Sequence, residues 1–240
     1  MSNPISPGRF EFLPPVVKNM VIINGLCYLG NYALKTGLGM DLIEVLGMHL
    51  PSSKAYAYWQ PLTHLFMHGN FEHLLFNMFS FWMFGSILEN VWGSSRFLTF
   101  YLVAGVGAAF LHYLVIFLMD IRPELLRIED QIKMANAGTL LDLENEKENL
   151  LSGPNIIGAS GAVAGIWIAF ATMFPNNYLY LFFFVPVKAK YLAVMYVAFE
   201  LLAVVQANPS DNVAHFAHLG GMLFGFAMVR WFGRSDSHWE

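Results

Sequence analysis

The chain has 240 residues, of which 56% are hydrophobic and 12% are charged, against about 25% charged residues in a typical soluble domain. Its net charge of −4 excludes a basic nucleic-acid-binding surface, and its single cysteine excludes an internal disulfide or a cysteine-ligated metal site. The composition therefore predicts an all-α, multi-pass membrane protein in a lipid bilayer, with enough chain for about six helices of roughly 20 residues.

Charge-free stretches of the sequence locate these helices. Each stretch approaches or exceeds the roughly 17 residues that a span needs, and the Pro175-Asn176-Asn177 run divides the longest. We predict one membrane domain across residues 1–240, with six spans at residues 17–35, 72–90, 97–119, 156–174, 189–206 and 213–231. Residues 55–71 contain Pro61 and Gly69, which favour a loop entering the membrane before the second span over a seventh span.

Basic residues in the short loops predict the orientation of the chain. With a cytoplasmic N-terminus, Lys35 and Lys54 lie outside, and seven other lysines and arginines lie inside. The seven are Arg9, Lys18, Arg96, Lys188, Lys190, Arg230 and Arg234. This distribution satisfies the positive-inside rule and places both termini in the cytoplasm. We expect no removable signal peptide, because no charged segment with a small-residue cleavage site precedes the first span.

An acidic segment at residues 120–152 separates the third span from the fourth. It carries eight acidic and four basic residues. Its leucines and isoleucines recur at roughly helical spacing, which fits two short amphipathic helices over the outer face. The alternative is a solvated spacer, and we favour this extramembrane spacer because no residue in the segment suggests chemistry.

Small residues surround a serine at the start of the predicted fourth span. Ser160, Gly161, Ala164 and Gly165 share one helical face. Close helix packing is the expected role of such a face on this motif alone. The alternative is chemical, because small neighbours would let a substrate carbonyl reach the Ser160 hydroxyl as a nucleophile.

A histidine shares a glycine face at the start of the predicted sixth span. His218, Gly221 and Gly225 have the spacing i, i+3, i+7 and therefore lie on one face. A lone histidine within a membrane is more often a hydrogen-bonding partner between helices. This glycine face can approach the small face of the fourth span, however, and would bring His218 beside Ser160 as a nucleophile and its general base.

Two other residues compete for a role beside His218. His215 is three residues earlier and can also face the fourth span, but it lies outside the glycine face. We expect His215 at the rim of the membrane, hydrogen-bonded to a loop or to water. Glu200, in the middle of the fifth span, is expected to be a packing residue, so the sequence predicts a serine–histidine dyad without a third member.

Further polar residues precede and open the predicted second span. His73 and Asn77 have the spacing i, i+4 and point in one direction, as the paired donors of an oxyanion hole must. His64 and His68 have the same spacing and are candidates for a metal site. No acidic residue accompanies them at ligand spacing, so we predict no metal and no cofactor.

Together, these motifs resemble those of the rhomboid family of intramembrane serine proteases. The resemblance rests on His64…His68…His73-Leu-Leu-Phe-Asn77, Gly158-Ala-Ser160-Gly161 and Ala217-His218-Leu-Gly-Gly221. It implies a six-transmembrane-helix bundle with a membrane-embedded loop before the second helix. It also implies that Ser160 is the nucleophile and His218 its general base, with His73, Asn77 and backbone N–H groups near Ser160 stabilising the oxyanion.

The resemblance further implies the class of substrate. Substrates would be single-span membrane proteins, cut near the outer end of an easily unwound helix, and the membrane would be a bacterial inner membrane. The sequence departs from the family at Gln60, where arginine is common, and at Ala164, where an aromatic residue often packs on the histidine ring. A client-binding pseudoprotease and a transporter are alternatives. The retained serine and histidine weigh against the first, and the lack of an internal repeat weighs against the second.

Overall fold

The computed structural model describes residues 10–153, 155–181, 184–206 and 214–235. In chain order its α-helices are α1 Pro15–Leu38, α2 Leu42–Leu46, α3 Gln60–Thr63, α4 Phe71–Trp92, α5 Ser94–Ile116, α6 Arg122–Met134, α7 Ala137–Ser152, α8 Ser160–Met173, α9 Ala189–Gln206 and α10 His215–Ser235. A 3₁₀ turn, His64–Phe66, follows α3, and a π-helical turn, Phe117–Ile121, joins α5 to α6. Strands β1 Tyr178–Leu181 and β2 Val185–Lys188 pair as an antiparallel hairpin.

Six of these helices coincide with the predicted spans, namely α1, α4, α5, α8, α9 and α10. Within the described residues, three helical stretches are long and apolar enough to cross a membrane: Phe71–Trp92, Ser94–Met134 and Ala189–Gln206. The chain is therefore a helical membrane protein, and the count of six spans stays a prediction. Arg9 and residue 213, where we predicted the sixth span to begin, lie outside the described residues.

The predicted start of the fourth span at residue 156 is wrong. Helix α8 begins at Ser160 and has 14 residues, so it is about 21 Å long at 1.5 Å per residue. Helix α8 is therefore shorter than the hydrocarbon core of a bilayer, which is about 30 Å thick. Residues 155–158 are not helical because Ile156 pairs with Met48 as an isolated bridge, and hydropathy alone cannot separate such an extended apolar segment from a helix.

Aromatic side chains of three helices form the core of the bundle. Phe81 and Phe84 of α4 and Tyr101 of α5 are fully or almost fully buried. The ring of Phe84 lies 5.0 Å from that of Phe170 on α8. Large apolar side chains also cover the outside, such as Phe199 on α9 with 63% exposure. Apolar residues on both the inside and the outside are what a bilayer requires of a helical protein.

A buried glutamate fixes the first helix against the end of α4. Glu89 is 2% exposed, and its two carboxylate oxygens accept the backbone N–H groups of Val16 and Val17, each at 2.9 Å. The Ser94 hydroxyl donates to the same carboxylate at 2.6 Å. The N–H groups in the first turn of a helix have no partner within the helix, and the negative charge is favourable at that end.

Gln60 anchors the loop that precedes α4. Its side chain is almost completely buried, and its Oε1 accepts the backbone N–H of His49 at 3.1 Å. Its Nε2 donates to the carbonyls of Val45 at 3.2 Å and Ala55 at 3.0 Å. A neutral side chain therefore satisfies three buried backbone groups at the position where the family commonly has arginine, and no buried charge needs a partner there.

The acidic segment contains two helices, as the first alternative predicted, and its role as an extramembrane spacer stays a prediction. Helices α6 and α7 are joined by ion pairs from Arg127 to Glu146 at 2.6 Å and from Lys147 to Glu129 at 2.8 Å. Lys54, in the loop before α3, pairs with Glu148 at 2.5 Å, and this hydrogen bond lowers the pKa of the Glu148 carboxyl. Solvent screens exposed pairs of this kind, and holding two long side chains in place costs entropy, so the pairs orient the hairpin more than they stabilise it.

Candidate active site

An extended segment and a glycine turn set the position of Ser160. Ile156 exchanges two backbone hydrogen bonds with Met48, of 2.8 and 2.9 Å, and the Tyr113 hydroxyl contacts the backbone of both residues. Gly158 then turns the chain at φ +105°, a conformation that side chains strongly disfavour. Ser160 follows as the first residue of α8, where backbone N–H groups lack partners within the helix.

His73 lies against this turn. A Cβ atom on Gly158 would be 2.7 Å from Cε1 and 2.8 Å from Nε2 of the His73 ring, so only glycine leaves room for the imidazole. The backbone N–H of His73 donates to the side chain of Asn70, the N-cap of α4, at 2.7 Å. The start of α4 therefore holds the His73 ring against the turn that lies two residues before Ser160.

Asn77 lies one turn further along α4. It is 6% exposed, and its Nδ2 donates to the backbone carbonyl of His73 at 2.9 Å. An amide nitrogen carries two hydrogens, so one of the two is engaged by its own helix. The structure thus brings His73 to the Gly158 turn, whereas the hydrogen bond of Asn77 points back along α4.

Helices α8 and α10 touch through their glycines. A Cβ atom on Gly221 would lie 1.8 Å from the carbonyl oxygen of Gly161, and one on Gly225 would lie 2.6 Å from that of Gly165. The predicted approach of the two small-residue faces is therefore found, because backbones can meet this closely only where side chains are absent. Ser160 precedes Gly161 in the sequence, and His218 is three residues before Gly221, so the two flank this contact.

Ser160 also borders a small cavity beside this contact. The cavity is lined by His64, Gly105, Ala108, Ala109, Ile156, Ile157, Gly158, Ser160, Gly161, Ala214 and Ala217. No hydrogen bond joins Ser160 to His218 within the described ranges. Distances between a nucleophile and its base are often long before substrate binds, so the pairing of Ser160 with His218 stays a prediction.

Glu200 of α9 binds both histidines at the start of α10. Its Oε1 lies 2.9 Å from Nδ1 of His218, and its Oε2 lies 2.6 Å from Nδ1 of His215. The glutamate is 2% exposed. The sequence did not predict this contact between His215 and Glu200, which forms because α9 packs beside α10 and presents the carboxylate to both rings. The expected bond of His215 to a loop or to water stays a prediction.

Comparison with known proteins identifies the family of this chain. Residues 55–235, more than half of the chain, match the Rhomboid domain family. The chain belongs to the rhomboid family. The resemblance drawn from the serine, histidine and glycine motifs is thereby confirmed.

Individual relatives of this rhomboid come from bacteria and from mitochondria. It is 26% identical over 172 residues to RHOMBOID-like protein 12, mitochondrial, of Arabidopsis thaliana, covering 71% of this chain and 44% of that protein. It is 31% identical over 96 residues to Rhomboid protease GlpG of Haemophilus influenzae, covering 39% of this chain and 49% of that protein. It is 24% identical over 173 residues to Putative rhomboid protease YdcA of Bacillus subtilis, covering 71% of this chain and 65% of that protein.

The length and origin of these relatives restrict the conclusion to the family. The matched part of this rhomboid spans between about half and two thirds of each relative's length. Because mitochondrial proteins stand beside bacterial ones, the comparison gives no support to a bacterial inner membrane in particular. It establishes a membrane protein of this family.

The histidines predicted as alternative metal ligands do not form a metal site with a third ligand in the described structure. Nδ1 of His64 donates to the backbone carbonyl of Gln60 at 3.0 Å. Neither ring nitrogen of the buried His68 has a partner among the described residues. Glu200, His215 and His218 instead have ligand atoms within 4.8 Å of one another. Hydrogen bonds between the carboxylate and the two rings already account for this cluster, and the absence of a metal stays a prediction.

One residue of the site was missed at the level of sequence. His112 of α5 is 8% exposed, interacts electrostatically with His218, and lies 6.5 Å from the ring of Phe216. No motif surrounds His112, but an ionisable residue within a predicted span is itself a signal of function. The position of His112 within the predicted third span was therefore the signal available from the sequence.

Proposed function

We propose that this rhomboid is an intramembrane serine endopeptidase with Ser160 as its nucleophile and His218 as its general base. The observation that carries the proposal is the glycine contact between α8 and α10. A Cβ atom on Gly161 would lie 3.3 Å from the carbonyl oxygen of Ala217, and Ser160 and His218 are the neighbours of these two residues. The contact thus brings together the two backbone segments that carry the serine and the histidine.

The chemistry follows from these roles. Nε2 of His218 takes the proton of the Ser160 hydroxyl as its oxygen attacks a substrate carbonyl, which gives a tetrahedral intermediate with a negative oxygen. The protonated His218 then delivers its proton to the leaving amine, and the C–N bond breaks to leave an acyl-enzyme. Water, activated by the same imidazole, releases the acid and regenerates Ser160.

Three kinds of donor are the proposed partners of the oxyanion. His73 lies against Gly158, and the N–H groups in the first turn of α8 have no partner within that helix. Asn77 is the third, with one amide hydrogen left after its bond to the carbonyl of His73. Donors held in place before the reaction stabilise charge that develops only in the transition state.

The finer architecture belongs to the same proposal. Six spans, a membrane-embedded loop at residues 55–71 and both termini in the cytoplasm would place Ser160 near the outer end of α8. Water needed for hydrolysis would then reach the site from that side. Single-span membrane proteins are the proposed substrates, because a helix that unwinds near the outer surface can present its backbone to Ser160.

Labelling by a fluorophosphonate probe, together with cleavage of a single-span test substrate in liposomes, tests the function. The full chain should be labelled once, at Ser160, and should cleave the substrate with or without EDTA or phenanthroline. A folded protein that binds the substrate without labelling or cleavage would be a client-binding pseudoprotease, and the proposal would be overturned. Inhibition that only added metal reverses would instead assign the chemistry to a metal site.

Removing the oxyanion donors should lower kcat more than it raises KM. Loss of one such donor in a soluble protease costs about 10²–10³ in kcat, and sharing between His73 and Asn77 makes each single loss smaller. We expect His73→Ala and Asn77→Ala each to reduce kcat and the double variant to reduce it most, since the interaction exists mainly in the transition state. Cleavage kinetics in liposomes measure the effect.

Phe76→Ala is the matched control for these two variants. Phe76 is on the same helix between them in sequence, and its side chain is 69% exposed, so its removal should leave kcat unchanged. A double variant of His73 and Asn77 that cuts at the wild-type rate would contradict the assignment of both donors.

A further inference from the structure

We infer that Glu200 is a positioning residue of the reaction, which holds His218 in the one tautomer that can act as a base. The inference rests on the proposed function, since it assigns a role relative to His218. It replaces the serine–histidine dyad by a serine–histidine–glutamate arrangement, contrary to the packing role expected from sequence. The hydrogen bond of 2.9 Å between Glu200 and Nδ1 of His218 carries it.

The chemistry of the carboxylate decides the tautomer. An ionised carboxyl group accepts hydrogen bonds and donates none, so the ring nitrogen that faces Glu200 must carry the hydrogen. With Nδ1 protonated, the lone pair of the neutral imidazole lies on Nε2, at the opposite edge of the ring. Glu200 approaches that ring from α9, and α10 contacts α8 through glycines. The basic nitrogen is therefore the one that faces away from α9.

The surroundings of Glu200 favour its ionised form. Nδ1 of His215 faces its second oxygen at 2.6 Å, and Tyr196, one turn earlier on α9, interacts with the same carboxyl group. Among the described residues, His112 and His73 also interact electrostatically with His218. Within the part of the chain that the structure describes, the ionisable groups facing Glu200 are His215, His218 and Tyr196, and each of them can donate a hydrogen bond.

The position of Glu200 also fixes the ring in space. The glutamate is 2% exposed, and α9 packs on both α8 and α10. A carboxylate held rigidly between two helices restricts rotation of the His218 ring about its side-chain bonds. Precise orientation of a base is worth several orders of magnitude in rate. Position 164 holds a buried alanine, so no aromatic side chain at that position orients the His218 ring.

Glu200→Gln tests the inference in the purified full chain. The amide keeps the shape of the side chain but can turn its NH₂ group toward His218, which would favour the tautomer with hydrogen on Nε2. In a soluble triad the equivalent change lowers kcat by about 10⁴. We expect a fall of about 10²–10⁴ in kcat and in the rate of fluorophosphonate labelling, with KM within about threefold of wild type.

Glu89→Gln is the matched control. Glu89 and Glu200 are both 2% exposed, but Glu89 holds the start of α1 and contacts neither histidine. Glu89→Gln should therefore lower the melting temperature while leaving the kcat of the folded fraction unchanged. If Glu200→Gln behaves in the same way, with reduced stability and kcat within threefold of wild type, Glu200 is a packing residue and the inference is overturned.

A spectroscopic measurement on the wild-type chain decides the matter even if Glu200→Gln does not fold. The ¹⁵N chemical shifts of His218, assigned with His218→Gln, should show hydrogen on Nδ1 and a free lone pair on Nε2. Hydrogen on Nε2 would overturn the inference. Failure of the proposed function would look different, because wild-type protein would then neither label nor cleave, whatever residue stands at position 200.

Discussion

Ser160→Ala is expected to abolish cleavage of a single-span substrate while leaving the protein folded. Loss of the nucleophile of a soluble serine protease costs about 10⁶ in kcat, which would put the remaining activity below detection. Folding should survive because the side chain is only half-buried and its hydroxyl has no hydrogen-bond partner among the described residues. An alanine also fits the face of small residues that Gly161, Ala164 and Gly165 share with it.

Gel-based cleavage in liposomes measures the loss of activity, and thermal melting measures whether the variant stays folded. Ser95→Ala is a suitable control, since Ser95 also lies in the first turn of an apolar helix, α5, but is exposed and far along the chain from the site. It should retain both stability and activity. A well-folded Ser160→Ala protein that cleaves near the wild-type rate would rule out a serine protease.

Hydropathy predicted the six main helices of this protein well, because each carries apolar side chains along its whole length, on buried and exposed faces alike. The predicted span at residues 189–206 matches α9, Ala189–Gln206, at both ends. The prediction failed at residue 156, where the apolar segment pairs with Met48 in an extended conformation. A strand-like pairing with a residue more than a hundred positions away leaves no mark on local hydropathy.

The site was predictable where its residues share one helix face and unpredictable where it depends on neighbouring helices. The spacing of Gly221 and Gly225 indicated a close approach to the fourth span, and the glycine contacts show it. The interaction of Glu200 with His218 spans two helices and 18 positions, so no spacing rule reveals it. The cost of an ionisable group within a membrane was the available signal, and it is a stronger guide here than the distance along the chain.

His218→Ala and His215→Ala should separate the two histidines that Glu200 holds. The residues are three positions apart on α10, or about 4.5 Å along the helix axis, and Nδ1 of each ring faces one oxygen of the same carboxylate. The hydrogen bonds therefore do not distinguish them. The glycine contact does, because His218 adjoins Ala217, whose carbonyl oxygen meets Gly161, the residue after Ser160.

We expect His218→Ala to be inactive and unreactive toward fluorophosphonate, since the Ser160 hydroxyl would lose its base. His215→Ala removes one of two histidine partners of Glu200, and a hydrogen bond contributes about 1 kcal/mol, so activity should fall by less than about tenfold. Labelling rates measured beside melting temperatures give the comparison. The opposite result would assign the base to His215 and would mean that α10 presents its first turn, one turn nearer the surface, to Ser160.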